Sequence, residues 1–356
     1  MRNTGNISFK IGEKTVGPNY PVLVVAEVSA NHLQNLERAK KIVEIACKLK
    51  AGAIKLQMYA PDTMTLNSKK KAFQIKINPV WKGRTLYDLY KQAYMPWEWL
   101  AELKRIAENY KVPLFSSVFD DSAVDFLEKM KIPAYKIASA EITDLELLKK
   151  VASTKKPVII SRGMSTIAEL DEAISTLRTY GASGIAVLHC VSSYPAKPEE
   201  MNLATISNIL ERFRVVPGLS DHTLTTSIAV ASVVLGACII EKHLTLKRAD
   251  GGFDAAFSLE PQEFKILVKE VRETEKAIGK VFYGVGEREK ENLVFRRKLW
   301  VAKEVKKGEK FTRKNVGRFR SATGEGLAIK FLPQILGQTA KKDIKVCTPM
   351  SWDLIG

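Results

Sequence analysis

Histidine and cysteine are both scarce in this chain, with four of each in 356 residues. The cysteines (Cys47, Cys190, Cys238 and Cys347) are scattered and form no CxxC, which excludes a thiol redox pair, a cysteine zinc cluster and a disulfide framework. Three of them lie in apolar segments, so reduced core thiols in a cytoplasm are expected. No stretch reaches the roughly 18 consecutive apolar residues of a membrane span, and the opening MRNTGNISFKIG lacks the apolar core of a secretory leader. A Walker loop, a GxGxxG turn and a Cys2His2 set are missing, as are helix-turn-helix, zinc-finger and RNP-type patterns. Neither a nucleic-acid partner nor a membrane is therefore expected. Acidic residues are the other deficit: 39 Asp and Glu stand against 56 Lys and Arg, a net charge of +17. The imbalance is uneven, since residues 291–356 carry 15 basic and 6 acidic side chains. Lysine-rich solvated faces account for most of it; a positive field also draws anionic partners, a phosphorylated small substrate among them.

The chain does contain a regular alternation. Short apolar, β-branched runs recur at 22–30, 53–60, 113–120, 134–141, 157–164, 185–195, 215–223 and 238–246. Near-continuous apolar runs suit parallel strands buried on both faces. Between them stand helical segments such as LERAKKIVEIACKLK and TIAELDEAISTLRTY, several opened by Thr or Asp caps. Eight strand–helix units predict a closed (β/α)8 TIM barrel over residues 1–283; an open doubly wound sheet would be unusually regular. The connection at 61–112 is far longer than a usual crossover. Its earlier part reads as a lid or substrate loop and its later part as two helices, the second opened by Pro96. Residues 284–293 read as a polar linker. Residues 294–356, with short strands and glycine turns, read as a small, mostly β second domain.

His222 and His243 stand at the two ends of an apolar stretch with no charge between Asp221 and Glu241. A parallel barrel explains the spacing. One histidine ends strand seven, a buried helix follows, and the other ends strand eight; adjacent strands lie about 4.8 Å apart. The two rings then meet at the C-terminal face, where barrel active sites lie, close enough to share one metal ion. Polar groups end every strand: Glu27, Ser29, Asn31 and His32; Lys55 and Gln57; Ser116 and Ser117; Lys136, Ser139 and Glu141; Ser161 and Arg162; His189, Ser192, Ser193 and Tyr194; Ser220, Asp221 and His222; Glu241, Lys242 and His243. All four histidines are among them. Lys55 and Lys136 are cations in apolar settings, where an unpaired charge is costly. A phosphate or carboxylate would partner them, with Ser117, Ser139 and Ser220 as neutral donors. Two imidazoles with open coordination positions suit a divalent ion polarising a carbonyl. Glu27 and Glu141 suit proton transfer or sugar-hydroxyl recognition, or else ion pairs with the lysines. These residues together predict a metal-assisted enzyme for a small phosphorylated or carboxylated substrate.

AEVSANH (26–32), IKLQ (54–57), YKIASAE (135–141), SRGM (161–164), LHCVSSYP (188–195), GLSDHT (218–223), EKHLTL (241–246) and FSLEP (257–261) follow in order the barrel signature of the sialic acid synthase family. The chain resembles that family over nearly its whole length, and its C-terminal segment resembles the family's antifreeze-like (SAF) domain. SANH and GRTLYDLYKQAYMPWEW are most similar to the pseudaminic acid branch, with the N-acetylneuraminate and legionaminate branches as alternatives. The resemblance implies condensation of phosphoenolpyruvate with the open-chain aldehyde of an acetamido sugar, with phosphate released by C–O cleavage. It implies a divalent metal, Mn2+ first with Mg2+ or Co2+ as alternatives, on His222 and His243. Phosphoenolpyruvate contacts fall on Lys55, Gln57, Ser117, Lys136, Ser139 and Ser220. Ser192 stands where the neuraminate branch has a phosphate-binding asparagine. Sugar contacts fall on Glu27, Tyr194 and Asp254, and the catalytic-site glutamate on Glu141. The resemblance also implies a cytoplasmic homodimer in which the small domain caps the partner's barrel and supplies Arg320, where RSATG replaces the usual Arg-Pro-Gly. Rival classes are a metal-dependent aldolase, which would release no phosphate, and a non-catalytic glycan-binding protein.

Overall fold

The computed structural model of the protein describes residues 7–76 and 82–356. Residues 1–6, read above for a leader, and 77–81, within the expected lid or substrate loop, lie outside the described residues. The chain forms two compact units, Met1–Gly279 and Lys280–Gly356.

The first unit opens with an antiparallel hairpin, β1 (Phe9–Ile11) and β2 (Lys14–Val16), which the sequence reading did not anticipate. Eight parallel strands follow: β3 (Leu23–Glu27), β4 (Ala53–Met58), β5 (Leu114–Val118), β6 (Tyr135–Ile137), β7 (Val158–Ser161), β8 (Ile185–Cys190), β9 (Val216–Asp221) and β10 (Ile239–His243). They pair in sequence order, and β10 closes onto β3. This is the expected TIM barrel, one strand for each apolar run. Helices between the strands start at side-chain caps: Asn35 accepts from the Arg38 amide, Asp120 from Ser122 and Ala123, and Thr166 forms a capping box with Glu169. Among the described residues no helix is long and apolar enough to cross a membrane. Cys47, Cys190 and Cys238 are buried and free; Cys347 is exposed.

Strand alternation sorts the side chains into two sets. Outward positions such as Val24, Ile54, Leu56, Val118, Ile137, Ile160 and Ile240 pack against the helices in one large apolar core. Inward positions near the strand starts (Leu23, Val25, Ala53, Phe115, Ala134, Ile159, Ala186, Val216, Ile239) form a second core, plugged by Phe9, Ile11 and Val16 of the hairpin. Inward positions near the strand ends are polar. One end of the barrel is thus filled with hydrocarbon while the other carries functional groups.

The second unit has its own apolar cluster, including Leu299, Val301, Phe311, Ile335 and Met350. Its one regular sheet among the described residues pairs β11 (Lys298–Val301) with β12 (Val316–Phe319) antiparallel. Single bridges such as Trp300–Pro349 and Val305–Ile344 join its other extended segments.

Candidate active site

Register sets the neighbours at the polar end of the barrel. His243 pairs with Glu27 and Glu27 with Lys55. Gln57 pairs with Ser117 and Ser117 with Lys136. Cys190 pairs with Ser220 and Ser220 with Glu241. All of these share the inward phase, so their side chains converge on the axis. They line, or lie just beneath, a cavity of about 860 Å³ that opens beyond the strand ends.

Charges concentrate at its floor. Lys55 Nζ lies 2.9 Å from Glu27 Oε2 and 2.8 Å from Glu241 Oε1, and Lys136 Nζ lies 4.0 Å from Glu241 Oε1. All four groups are buried. Burial works against the Lys55 charge, but Glu241 and Glu27 outweigh it and hold its pKa above the ordinary value. Burial also lowers Lys136, to about 8, and the pull of Glu241 only partly offsets this. Two carboxylates facing one ammonium cannot ionise equally. Lys136 and Lys55 overcome burial at Glu241 and keep it ionised, while burial pushes Glu27 up to about 7. Hydroxyls complete the floor: Lys136 donates to Ser161 Oγ at 2.7 Å, Lys55 to Ser117 Oγ at 3.3 Å, and Ser220 to Glu241 Oε1 at 3.3 Å. Gly163 brings its N–H within 3.1 Å of Ser139 Oγ. A Cβ there would collide with the hydroxyls of both Ser139 and Ser192, so this close approach requires glycine.

The wall above the floor is imidazole and aromatic. The His222 and His243 ring centroids are 5.4 Å apart, Tyr194 lies 4.5 Å from His222, and Phe257 packs against all three. The Val191 carbonyl is 3.0 Å from His222 Nδ1, so that nitrogen carries the N–H and Nε2 is the atom that can ligate when the ring is neutral. Burial works against the His222 charge, but Cys190, whose Sγ lies 4.0 Å from the same Nδ1, outweighs it and holds the pKa above the ordinary value. His243 Nδ1 is buried without a hydrogen-bond partner, and burial depresses its pKa well below the ordinary histidine value. A neutral imidazole with an unbonded nitrogen, beside a second ring of fixed tautomer, fits a metal ligand pair. Among the described residues no group of three or more His, Cys, Asp or Glu is assembled to hold a metal ion by itself. A cation on these two rings would take its other ligands from substrate and water.

Of the residues named from the sequence, Lys55, Gln57, Ser117, Lys136, Ser139, Glu141, Ser192, Tyr194, Ser220, His222, His243 and Asp254 line this one cavity. Glu141 is half-buried, with Oε2 unbonded and its pKa raised by burial. Asp254 accepts from the Ser29 hydroxyl and from the Ala30 amide at 3.1 Å. Glu27 is not on the cavity surface. It is fully buried behind Lys55 and accepts from the Ser29 amide at 2.8 Å, which is the ion-pair alternative weighed above. Arg320 is an exposed residue of the second unit. Only two of the four histidines face the cavity. His32 packs edge-on against Trp99, 5.5 Å between centroids, and burial lowers it to about 4. His189 points outward from β8 to the Met201 carbonyl and Arg162. Ser116, Asp221 and Lys242 are also outward, and the last two form a buried pair at 2.7 Å. Glu241, inward and central to the lysines, had drawn no role from the sequence. Its strand phase, two residues before His243, was the available signal.

A closed (β/α)8 barrel with its charged groups and paired imidazoles gathered at the C-terminal mouth belongs to the class of TIM-barrel enzymes. The sequence comparison narrows the class: residues 42–283 match the NeuB family, and the chain belongs to it. It is 41% identical over 334 residues to the pseudaminic acid synthase of Helicobacter pylori, covering 94% of this chain and 97% of that protein. It is also 41% identical over 324 residues to the pseudaminic acid synthase of Campylobacter jejuni, covering 91% and 94%. Among solved structures, the N-acetylneuraminic acid (sialic acid) synthetase of Leptospira borgpetersenii superposes with a TM-score of 0.71 at 29% identity, over 80% of this chain and 95% of that one.

Proposed function

We propose that the enzyme condenses phosphoenolpyruvate with the open-chain aldehyde of 2,4-diacetamido-2,4,6-trideoxy-L-altropyranose, yielding pseudaminic acid and phosphate. One observation carries the reading: the 41% identity to a pseudaminic acid synthase spans 94% of the chain. The buried lysines at the cavity floor agree with an anionic co-substrate. Phosphate release in the presence of both substrates tests the reading, across a panel of 2-acetamido and 2,4-diacetamido hexoses. A metal-dependent aldolase or a glycan-binding protein would release none, and an N-acetylneuraminate or legionaminate synthase would prefer another sugar of the panel.

In this reading Lys55 and Lys136, with Ser117, Ser139 and Ser220, hold the phosphate and carboxylate of phosphoenolpyruvate. Gln57 and Ser192 lie in the same wall. Tyr194 and Asp254 hold the sugar. His222 and His243 would hold a divalent cation, manganese first with magnesium or cobalt as alternatives, which when bound supplies Lewis-acid polarisation of the aldehyde oxygen. The C2–C3 π pair of phosphoenolpyruvate forms a C–C bond from C3 to the aldehyde carbon, the aldehyde π pair moves onto its oxygen, which takes up a proton, and positive charge develops at C2. Water adds at C2 and gives its proton to Glu141, whose raised pKa and unbonded Oε2 suit a base. The C2–O bond to the phosphate then breaks, phosphate leaves with the electron pair, and the new C2 hydroxyl gives up its proton as the ketone forms. Glu27 acts through Lys55, holding its ammonium in place.

Charge-assisted contacts are worth about 1.5–3 kcal/mol. Lys55→Met should therefore raise the phosphoenolpyruvate KM by roughly tenfold or more while sugar binding stays nearly intact. An unchanged KM would place the phosphate elsewhere.

The remaining part of the proposal is a cytoplasmic homodimer. In it the small domain, residues 294–356, is an antifreeze-like module that covers the partner's barrel and brings Arg320 to the sugar. Mixing Arg320→Ala with His243→Ala, each nearly inactive alone, should restore activity once subunits exchange, because one site of each heterodimer is then intact. Demonstrated exchange without recovery would reject the in-trans arrangement.

A further inference from the structure

We infer that the segment joining β4 to β5 builds an apolar wall that selects the deoxygenated end of the sugar; the inference rests on the sugar reading proposed above. Its helix, Leu86–Ala93, presents Leu86, Leu89, Tyr90 and Ala93 at the i, i+3, i+4, i+7 spacing of one face. An amphipathic helix ordinarily turns that face to the protein core. Here all four residues line the active-site cavity, joined by Ile75 and Phe253. Leu89 and Ile75 are buried, yet among the described residues neither belongs to any of the apolar clusters that make up the core. The helix is also held firmly. The Thr85 hydroxyl accepts from the Asp88 amide at 3.0 Å, and Tyr90 meets Tyr59 edge-on at 5.7 Å between centroids.

Phosphoenolpyruvate has no use for such a wall, since its charged groups are met at the lysine floor. The remaining apolar groups are those of the sugar. Its C1 is the reacting carbon, which fixes that end at the barrel mouth beside the imidazoles. C6 is the carbon farthest from C1 in the open chain, and the inference places it against the segment that leaves the end of β4, whose side chains line the same cavity. In that placement a methyl group at C6 packs against Leu86 and Leu89, whereas a hydroxymethyl would set its hydroxyl against those hydrocarbon side chains, with Tyr90 and Gln74 among the polar groups of the segment on the cavity wall. Apolar pockets discriminate against one added hydroxyl by up to roughly a hundredfold.

The test compares kcat/KM for 2,4-diacetamido-2,4,6-trideoxy-L-altrose with that for the same sugar bearing a 6-hydroxyl. The wild-type enzyme should prefer the deoxy sugar by roughly 10- to 100-fold. Leu86→Asn, at a half-buried position, and Leu89→Asn should each reduce that ratio by about tenfold, while Leu86→Met should preserve it. The phosphoenolpyruvate KM, read in parallel, reports an intact floor. A wild-type preference that persists undiminished in both Asn variants would overturn the inference and leave the proposed reaction standing. Failure of the wild-type enzyme to release phosphate with either sugar would overturn the reaction first, and the inference with it.

Discussion

His222→Ala and His243→Ala should each lower phosphate release by about a thousandfold. The rings lie 5.4 Å apart on one cavity wall, and His243 Nδ1 has no protein partner. Removing either ring would leave one imidazole, too few to retain a cation whose other ligands come from solvent and substrate. Lewis-acid stabilisation is worth several kcal/mol, and about 4 kcal/mol corresponds to that loss of rate. Initial rates and bound-metal content, measured together, check the expectation. His32→Gln is the internal control. That ring packs against Trp99 outside the cavity, so turnover should stay within a fewfold of the wild-type value. Near-normal turnover and metal content in either alanine variant would remove the metal assignment.

Asp221→Ala should be strongly destabilising. Asp221 and Lys242 are adjacent in β9 and β10 and point away from the cavity, with no side-chain exposure on either. Lys242 also donates to the Thr223 carbonyl, and the Thr223 amide donates to Asp221 Oδ1 at 2.9 Å. Deleting the carboxylate leaves an ammonium buried without its counter-charge, at a cost of about 3–5 kcal/mol. Replacing both residues, as Asp221→Leu with Lys242→Met, removes the stranded charge and should recover much of that loss. Denaturant midpoints of the three proteins test this. A loss below about 1 kcal/mol for Asp221→Ala would mean that Lys242 finds water or another acceptor.

The barrel was legible because a parallel strand covered on both faces needs a near-continuous apolar run, and the eight runs correspond to β3–β10. Convergence of His222 and His243 followed from topology alone. Strand phase was harder to read. Near a strand end, inward and outward residues are both polar, so SDH and EKH look uniform in sequence. In the barrel, Ser220, His222, Glu241 and His243 face the axis, whereas Asp221 and Lys242 pair behind it. The same two-residue alternation turns His189 away and makes Glu241 the partner of both lysines. Glu27 shares the inward phase yet lies behind Lys55, because the long lysine side chain covers it. The β1–β2 hairpin escaped notice for another reason: three-residue strands carry too little periodicity to register, although Phe9, Ile11 and Val16 plug the barrel.

The most direct test of the proposed reaction follows the bridging oxygen of phosphoenolpyruvate. With that atom labelled as 18O, and with the diacetamido trideoxy sugar as co-substrate, C–O cleavage sends the label into the released phosphate while the new C2 oxygen comes from water. The account predicts labelled phosphate and an unlabelled nonulosonic acid. Label retained at C2 of the product, or a condensation that releases no phosphate, would contradict it.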